Sequence, residues 1–139
     1  MKPMISSIKE YEVFMNSEKV ISGFFIILAL TLNFGFVYGD FDVIAYHSVY
    51  ELVAAITVNL IATIMKLGDK TQTGSVLLAT SFVADLQLIA AATLWGIINM
   101  TSVMTPELFT TVISLAVGAL VANVISVTLF VGETLLLKR

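Results

Sequence analysis

Apolar residues run along this chain in four blocks, at residues 20–39, 48–67, 74–100 and 106–137. A helix of about 20 apolar residues covers a hydrocarbon core of ~30 Å. Each block therefore predicts a membrane-spanning helix, and the last two are long enough to tilt or to project beyond the bilayer. Residues 1–18 read differently. Lys2, Lys9 and Lys19 alternate with Glu10, Glu12 and Glu18, while Met4, Ile5, Ile8, Tyr11 and Met15 recur near helical spacing. That pattern predicts a cytoplasmic or interfacial segment ahead of the first span, with Ser17 as the span's N-cap. The apolar run from Val20 exceeds the ~7–15 residues of a cleaved signal peptide, so the first span is expected to be retained.

Boundary residues support the same division. Thr105-Pro106-Glu107 places a capping hydroxyl, a proline suited to the first helical position and an acid near the positive end of the helix dipole. Gly39 and Gly68 suit the ends of the first two spans. The expected fold is a single all-α integral membrane domain, residues 1–139, with four transmembrane helices. Val58-Asn59-Leu60-Ile61-Ala62 is similar to Ala122-Asn123-Val124-Ile125-Ser126, which would suit two parallel helical-hairpin repeats.

Composition removes other classes. Apolar residues make up 58% of the 139, charged residues 12%, and mean hydropathy is +1.00. A soluble domain carries about 25% charged residues. Without cysteine there is no disulfide or thiolate site, and the lone His47 cannot form a histidine metal cluster. A net charge of −3 with no basic cluster argues against nucleic acid as a partner. No nucleophile–base pair, phosphate loop or HExxH motif predicts an enzyme. All seven Lys and Arg residues fall before the first span, between the second and third, or at the chain's end. The positive-inside rule then places both termini in the cytoplasm.

Polar residues inside the spans carry the chemical information, because Asp or Lys at a helix centre costs roughly 2.5–3.5 kcal/mol on insertion scales. Glu51, Ala55, Asn59, Ala62 and Lys66 fall within an arc of roughly 80° on the second span. Ser81, Asp85, Ala92, Gly96 and Asn99 form a similar stripe on the third, and Gln87 faces elsewhere, toward a neighbouring helix. The fourth span carries Asn123 and a four-residue ladder, Ser114, Gly118, Ala122 and Ser126, of the kind that lets helix backbones approach closely. The first span offers Ser22, Ala29 and Asn33. Asp85, Asn59 and Asn123 are expected at similar depth, as a hard-oxygen cluster for Na⁺, Ca²⁺ or Mg²⁺, or as a proton site on Asp85 itself. The alternative is an interhelical hydrogen-bond network with Asp85 neutral. Asp40, Asp42 and His47, with Glu51 beyond them, would form an acidic outer mouth that concentrates cations. Lys66 is expected to snorkel to the inner interface, Trp95 to mark the outer one, and Glu133 to pair near the inner end with Lys138 or a neighbouring chain.

Tyr38-Gly39-Asp40 resembles the end of a potassium-channel filter, but the filter's first glycine and a separate pore helix are missing, so continuous helix is predicted there. Fluoride channels and small multidrug transporters share only size and span number. Three other stretches are more informative: Val58-Asn59-Leu60-Ile61-Ala62-Thr63, Leu77-Leu78-Ala79-Thr80-Ser81 and Val83-Ala84-Asp85-Leu86-Gln87-Leu88-Ile89. Together with Gly132-Glu133-Thr134-Leu135 they resemble an uncharacterised family of small bacterial inner-membrane proteins over most of the chain. That resemblance implies a bacterial source and four spans, and it brings no activity. The functional expectation from the residues is a homo-oligomeric cation channel or cation/proton-coupled transporter. Asp85 would be its central site, Asn59, Asn123 and Ser81 would support it, and no cofactor is expected beyond a bound cation. A non-transporting scaffold or accessory subunit is the alternative.

Overall fold

The computed structural model describes residues 2–68 and 71–137, with side chains over 17–68 and 71–136. Four long helices carry the fold: α1 (Lys2–Val37), α2 (Val49–Lys66), α3 (Gln72–Thr101) and α4 (Pro106–Leu137). A short 3-10 turn, Ile44–Tyr46, lies in the first connection. Among the described residues there is no strand. Each helix contains a stretch long and apolar enough to cross a membrane, at Ser17–Val37, Val49–Lys66, Gln72–Thr101 and Pro106–Leu136. The protein is thus an all-helical, multi-pass membrane protein whose environment is the lipid bilayer.

α1 differs from expectation at its start. Its backbone is helical without a break through Ser17, which therefore caps nothing. Between Met4 and Ser22 the sequence holds neither proline nor glycine, so nothing stops the helix. The apolar face proposed for Met4 to Met15 lies outside the described side chains, as do those of Lys2, Lys9, Lys70, Lys138 and Arg139. Of the other ends, those at Gly39 and Thr105 follow their signals, whereas Gly68 stands two residues beyond α2 without a left-handed backbone. Gly39 takes φ +106° beyond the end of α1. Thr105 caps α4, its Oγ1 accepting from Leu108 N at 3.2 Å. α3 begins at an unpredicted cap, Thr71, whose hydroxyl oxygen accepts from Gly74 N at 3.0 Å.

The helices pack in a ring, α1 on α2, α2 on α3, α3 on α4 and α4 back on α1. The buried positions explain the ring. On α2 they include Leu52, Asn59 and Lys66, with Ala55 and Ala62 between them. On α3 they include Leu77, Ala84, Ala91 and Ile98, and on α4 Phe109, Ala116 and Asn123. Each set repeats every seven residues, the period that keeps a seam facing its neighbours in a left-handed helical bundle. Both termini lie at one end, where Gly23 of α1 meets the Phe130 ring of α4.

Two devices fasten α1. With its amide oriented so that donors meet acceptors, Asn33 donates to the Ala116 carbonyl at 3.0 Å. Its oxygen accepts from Asn123 Nδ2 at 2.9 Å and from Leu120 N at 3.0 Å. At the far end His47 sits with Nδ1 2.6 Å from the Phe36 carbonyl and Nε2 2.8 Å from the Asp40 carbonyl. Its ring also packs on Phe36 and Phe109. His47 thereby ties the first connection back onto the end of α1.

A double-mutant cycle between Asn33→Ala and Asn123→Ala, read by unfolding in bilayers, is expected to give a coupling of about 0.6–1.7 kcal/mol. Strict additivity would contradict the paired amides. Gly39→Ala is expected to lower stability by about 1–2 kcal/mol through its left-handed backbone. An unchanged unfolding midpoint would contradict that conformation.

Candidate functional site

The site grows from one residue that hydrocarbon does not tolerate alone. Asp85 lies roughly 20 Å along α3 at ~1.5 Å per residue, and it is 5% exposed. α3 turns it toward α2 because Asp85 borders the seam of Leu77, Ala84 and Ala91. Its Oδ2 accepts from Thr63 Oγ1 at 2.6 Å. The same Thr63 oxygen lies 2.8 Å from the backbone carbonyl of Asn59. A hydroxyl has one proton and cannot donate to both. A proton on Asp85 removes the conflict, since Asp85 then donates to Thr63 Oγ1 and Thr63 donates to the Asn59 carbonyl. Asp85 Oδ1 is enclosed and has no hydrogen-bond partner among the described residues.

Lys66 completes the cluster. It ends α2, is 7% exposed, and donates from Nζ to Ser81 Oγ, one turn before Asp85 on α3. The ammonium and the carboxylate act on each other electrostatically. Lys66 does not snorkel to the interface as expected: the seven-residue seam of α2 brings it round to the face that holds Leu52 and Asn59. An intramembrane lysine and aspartate within each other's field are costly to bury and mark functional sites by default.

A cavity of about 310 Å³ opens at the end bearing both termini, and Lys66 forms part of its wall. Glu18, Lys19, Ser22, Phe130 and Glu133 line the rest with Ile26, Met65, Gly68 and Leu77. Lys19 Nζ lies 5.8 Å from the centre of the Phe130 ring. Glu133 thus faces this cavity, and its expected partner Lys138 lies outside the described residues. The interior of the opposite half is filled by side chains, with a smaller cavity of about 190 Å³ beside Val49, Trp95 and Asn99. Phe36, His47, Trp95 and Phe109 form a chain of ring contacts there, with centroids 5.0–6.0 Å apart. Trp95, expected at the interface, is half-buried in this packing. Leu52, Leu88, Val112 and Ile113 fill the interior beside it.

Other expected site residues fall elsewhere. Asn59 and Asn123 are buried at 1% and 3% exposure, yet neither shares a hydrogen bond with Asp85. Asn59 Nδ2 donates to Ala55 O of its own helix at 2.9 Å, and Asn123 pairs with Asn33. The hard-oxygen cluster is therefore not assembled around Asp85. Among the described residues no group of three or more His, Cys, Asp and Glu side chains could hold a metal ion. Asp40 and Asp42 are exposed, while His47 turns inward to backbone carbonyls, so the three do not line a common mouth. Glu51 is half-buried against α1, where a Cβ on Gly35 would come within 2.7 Å of its Oε2. Ala92 is half-buried, and Gly96 and Asn99 are exposed, because the buried seam of α3 runs one position earlier.

The small-residue ladder on α4 also divides. Ser126 meets Thr80 of α3 at 2.5 Å between hydroxyl oxygens, Ala122 is buried, and Gly118 lies against the Gln87 amide. Ser114 is exposed and donates to Thr110 O of its own helix. Four-residue steps drift about 40° each around a helix, so such a ladder leaves any one contact face. Lys66, Thr63, Lys19 and Glu18 are the site residues that sequence reasoning did not assign. The signal for Lys66 and Thr63 was present, as both fall near the stripe of Asn59 and Ala62.

Comparison with curated proteins gives no match, and comparison with solved structures gives none. Residues 46–134, well over half of the chain, match a family defined by sequence whose function is not known. That stretch contains Lys66, Ser81, Asp85 and Asn123, while α1 with Asn33 precedes it. The chain belongs to this family of unknown function, DUF6394.

Proposed function

We propose that this protein is a homo-oligomeric, proton-coupled cation transporter of a bacterial inner membrane, with both termini cytoplasmic and Asp85 as the group that takes up and releases the proton. The observation that carries this reading is the buried cluster of Asp85, Thr63, Ser81 and Lys66, of which Lys66 reaches the wall of the cavity it shares with Glu18, Lys19 and Glu133. Thr63 is placed to pass a hydrogen bond between Asp85 and the α2 backbone. Lys66 supplies the opposing charge while Asp85 is ionised. Glu18 and Glu133, in the cavity wall, offer the ammonium other counter-charges once Asp85 is neutral.

Two points favour a carrier over an open channel. A channel needs a continuous polar route, and the interior toward the loop of Asp40 is filled by aromatic and aliphatic side chains. A packed half opposite one that holds the larger charged cavity suits one state of an alternating cycle. The proton is favoured over a metal cation as the species held at Asp85. The amides expected to supplement the carboxylate are bonded elsewhere, whereas the Thr63 geometry suits a protonated acid. A coupled cation reaching Asp85 must pass or displace the Lys66 ammonium.

A scaffold or accessory subunit is the second reading, and the Asn33–Asn123 and Thr80–Ser126 links support it, since they fasten helices without involving Asp85 or Lys66.

Proton movement into dye-loaded liposomes separates the two. Under an imposed cation or pH gradient, Asp85→Asn is expected to lower the flux roughly a hundredfold or more, the scale of a lost proton-transfer group. Asp85→Asn moving protons like the unsubstituted protein would refute the assignment, and unsubstituted protein that moves none would favour the scaffold. Orientation is checked with single cysteines in this cysteine-free chain. Asp42→Cys is expected to react with impermeant thiol reagents from outside intact spheroplasts, and Gly68→Cys only after the membrane is opened. The reverse pattern would overturn the topology.

A further inference from the structure

Among the described residues, Gln87 is a mid-helix amide whose needs the bundle leaves unmet. It sits about 22 Å from either end of α3 at ~1.5 Å per residue, at a depth where a bilayer offers no water. Among the described residues its side chain makes no hydrogen bond. Its amide lies over Gly118 of α4, where an added Cβ would meet Gln87 Cδ at 2.7 Å and Nε2 at 2.9 Å. Around it a groove of about 480 Å³ runs along the lipid-facing side of α3 and α4, with Ala79, Val83, Gly118, Val121 and Ile125 among its walls. Val83, Val121 and Ile125 are 45%, 56% and 44% exposed. The groove is therefore apolar, open to the bilayer, and contains one unpaired amide.

We propose that a second copy of this chain covers this groove, in a two-fold homodimer centred on Gln87. A lipid chain would satisfy the apolar walls and leave the amide unpaired, at a cost hydrocarbon cannot offset. A primary amide is both donor and acceptor. Two copies related by a two-fold axis bring the same atoms together in opposite sense, so each Gln87 Nε2 donates to the other's Oε1 and both amides are satisfied by one contact. Gly118 and Ala79 keep the groove shallow in side-chain bulk, which allows two helix pairs to approach closely. This names the face for the oligomer in the functional proposal, and it is read from association alone, so it stands or fails separately from proton flux.

The experiment uses full-length protein in liposomes. Val121→Cys, in the groove, is expected to form a disulfide-linked dimer on mild oxidation. Phe24→Cys, on the lipid-facing side of α1 at 59% exposure, is expected to stay monomeric under the same conditions. In a dilution series read by energy transfer between labelled copies, Gln87→Leu is expected to weaken association about tenfold, as the loss of two interhelical hydrogen bonds implies. Gln87→Asn is expected to lie between the two. Cross-linking at Phe24→Cys and not at Val121→Cys would overturn the proposal, as would Gln87→Leu associating like the unsubstituted protein. A Val121→Cys product in cell membranes with the mass of this chain plus a different protein would also overturn it.

Discussion

Within hydrocarbon there is no water to complete the hydrogen bonds of a polar group, and the arrangement of this bundle follows from that constraint. Backbone groups are met inside four helices. Side chains must find partners across them, and most do so in a consistent way. Asn33 bridges to α4, Thr80 meets Ser126, and His47 takes two carbonyls at the end of α1. Thr63 reaches Asp85, and Lys66 reaches Ser81. These contacts set the register of the helices as surely as the apolar seams do. A one-residue slip of α2 would leave the carboxylate of Asp85 without its hydroxyl and the ammonium of Lys66 without its oxygen.

Two halves of unlike chemistry result. Toward the loop of Asp40 the interior is chiefly apolar and aromatic, and its polar groups are the His47 clamp, the Asn33 amide and the Glu51 carboxylate. Toward the termini it holds Lys66, Asp85, the hydroxyls of Thr63, Thr80, Ser81 and Ser126, and a cavity lined also by Glu18, Lys19 and Glu133. A purely structural bundle gains nothing from such a division, since apolar packing would hold helices together in either half. Charges in the bilayer that pair imperfectly are costly, and their concentration on the side of the cavity is the observation from which proton movement is proposed.

Much of this was legible in the residues. The four spans, the cap at Thr105, the special backbone at Gly39 and the burial of Asn59, Asp85 and Asn123 all follow from composition and helical spacing. The errors share a cause. A wheel drawn at 100° per residue from one helix shows which residues share a face, and it does not show which face meets which neighbour. The bundle buries positions seven apart, so Ser114 drifts off the contact face, while Lys66, on the face expected for it, is buried there instead of reaching the interface. Asn123 lay on the predicted face at the predicted depth, yet its partner is Asn33 of α1 rather than Asp85 of α3, a choice fixed by the order of helices around the ring. The continuity of α1 through Ser17 shows the converse limit: a polar residue that can cap does so only where the chain has reason to stop.

The account turns on Asp85 exchanging a proton with water while enclosed among helices. Infrared spectroscopy of the protein in bilayers tests this directly. It predicts a carboxylic-acid carbonyl band that is lost in Asp85→Asn, moves on transfer to D₂O, and gives way to carboxylate absorption as pH is raised. A band that ignores both D₂O and pH, or the absence of any acid band assignable to Asp85, would contradict it.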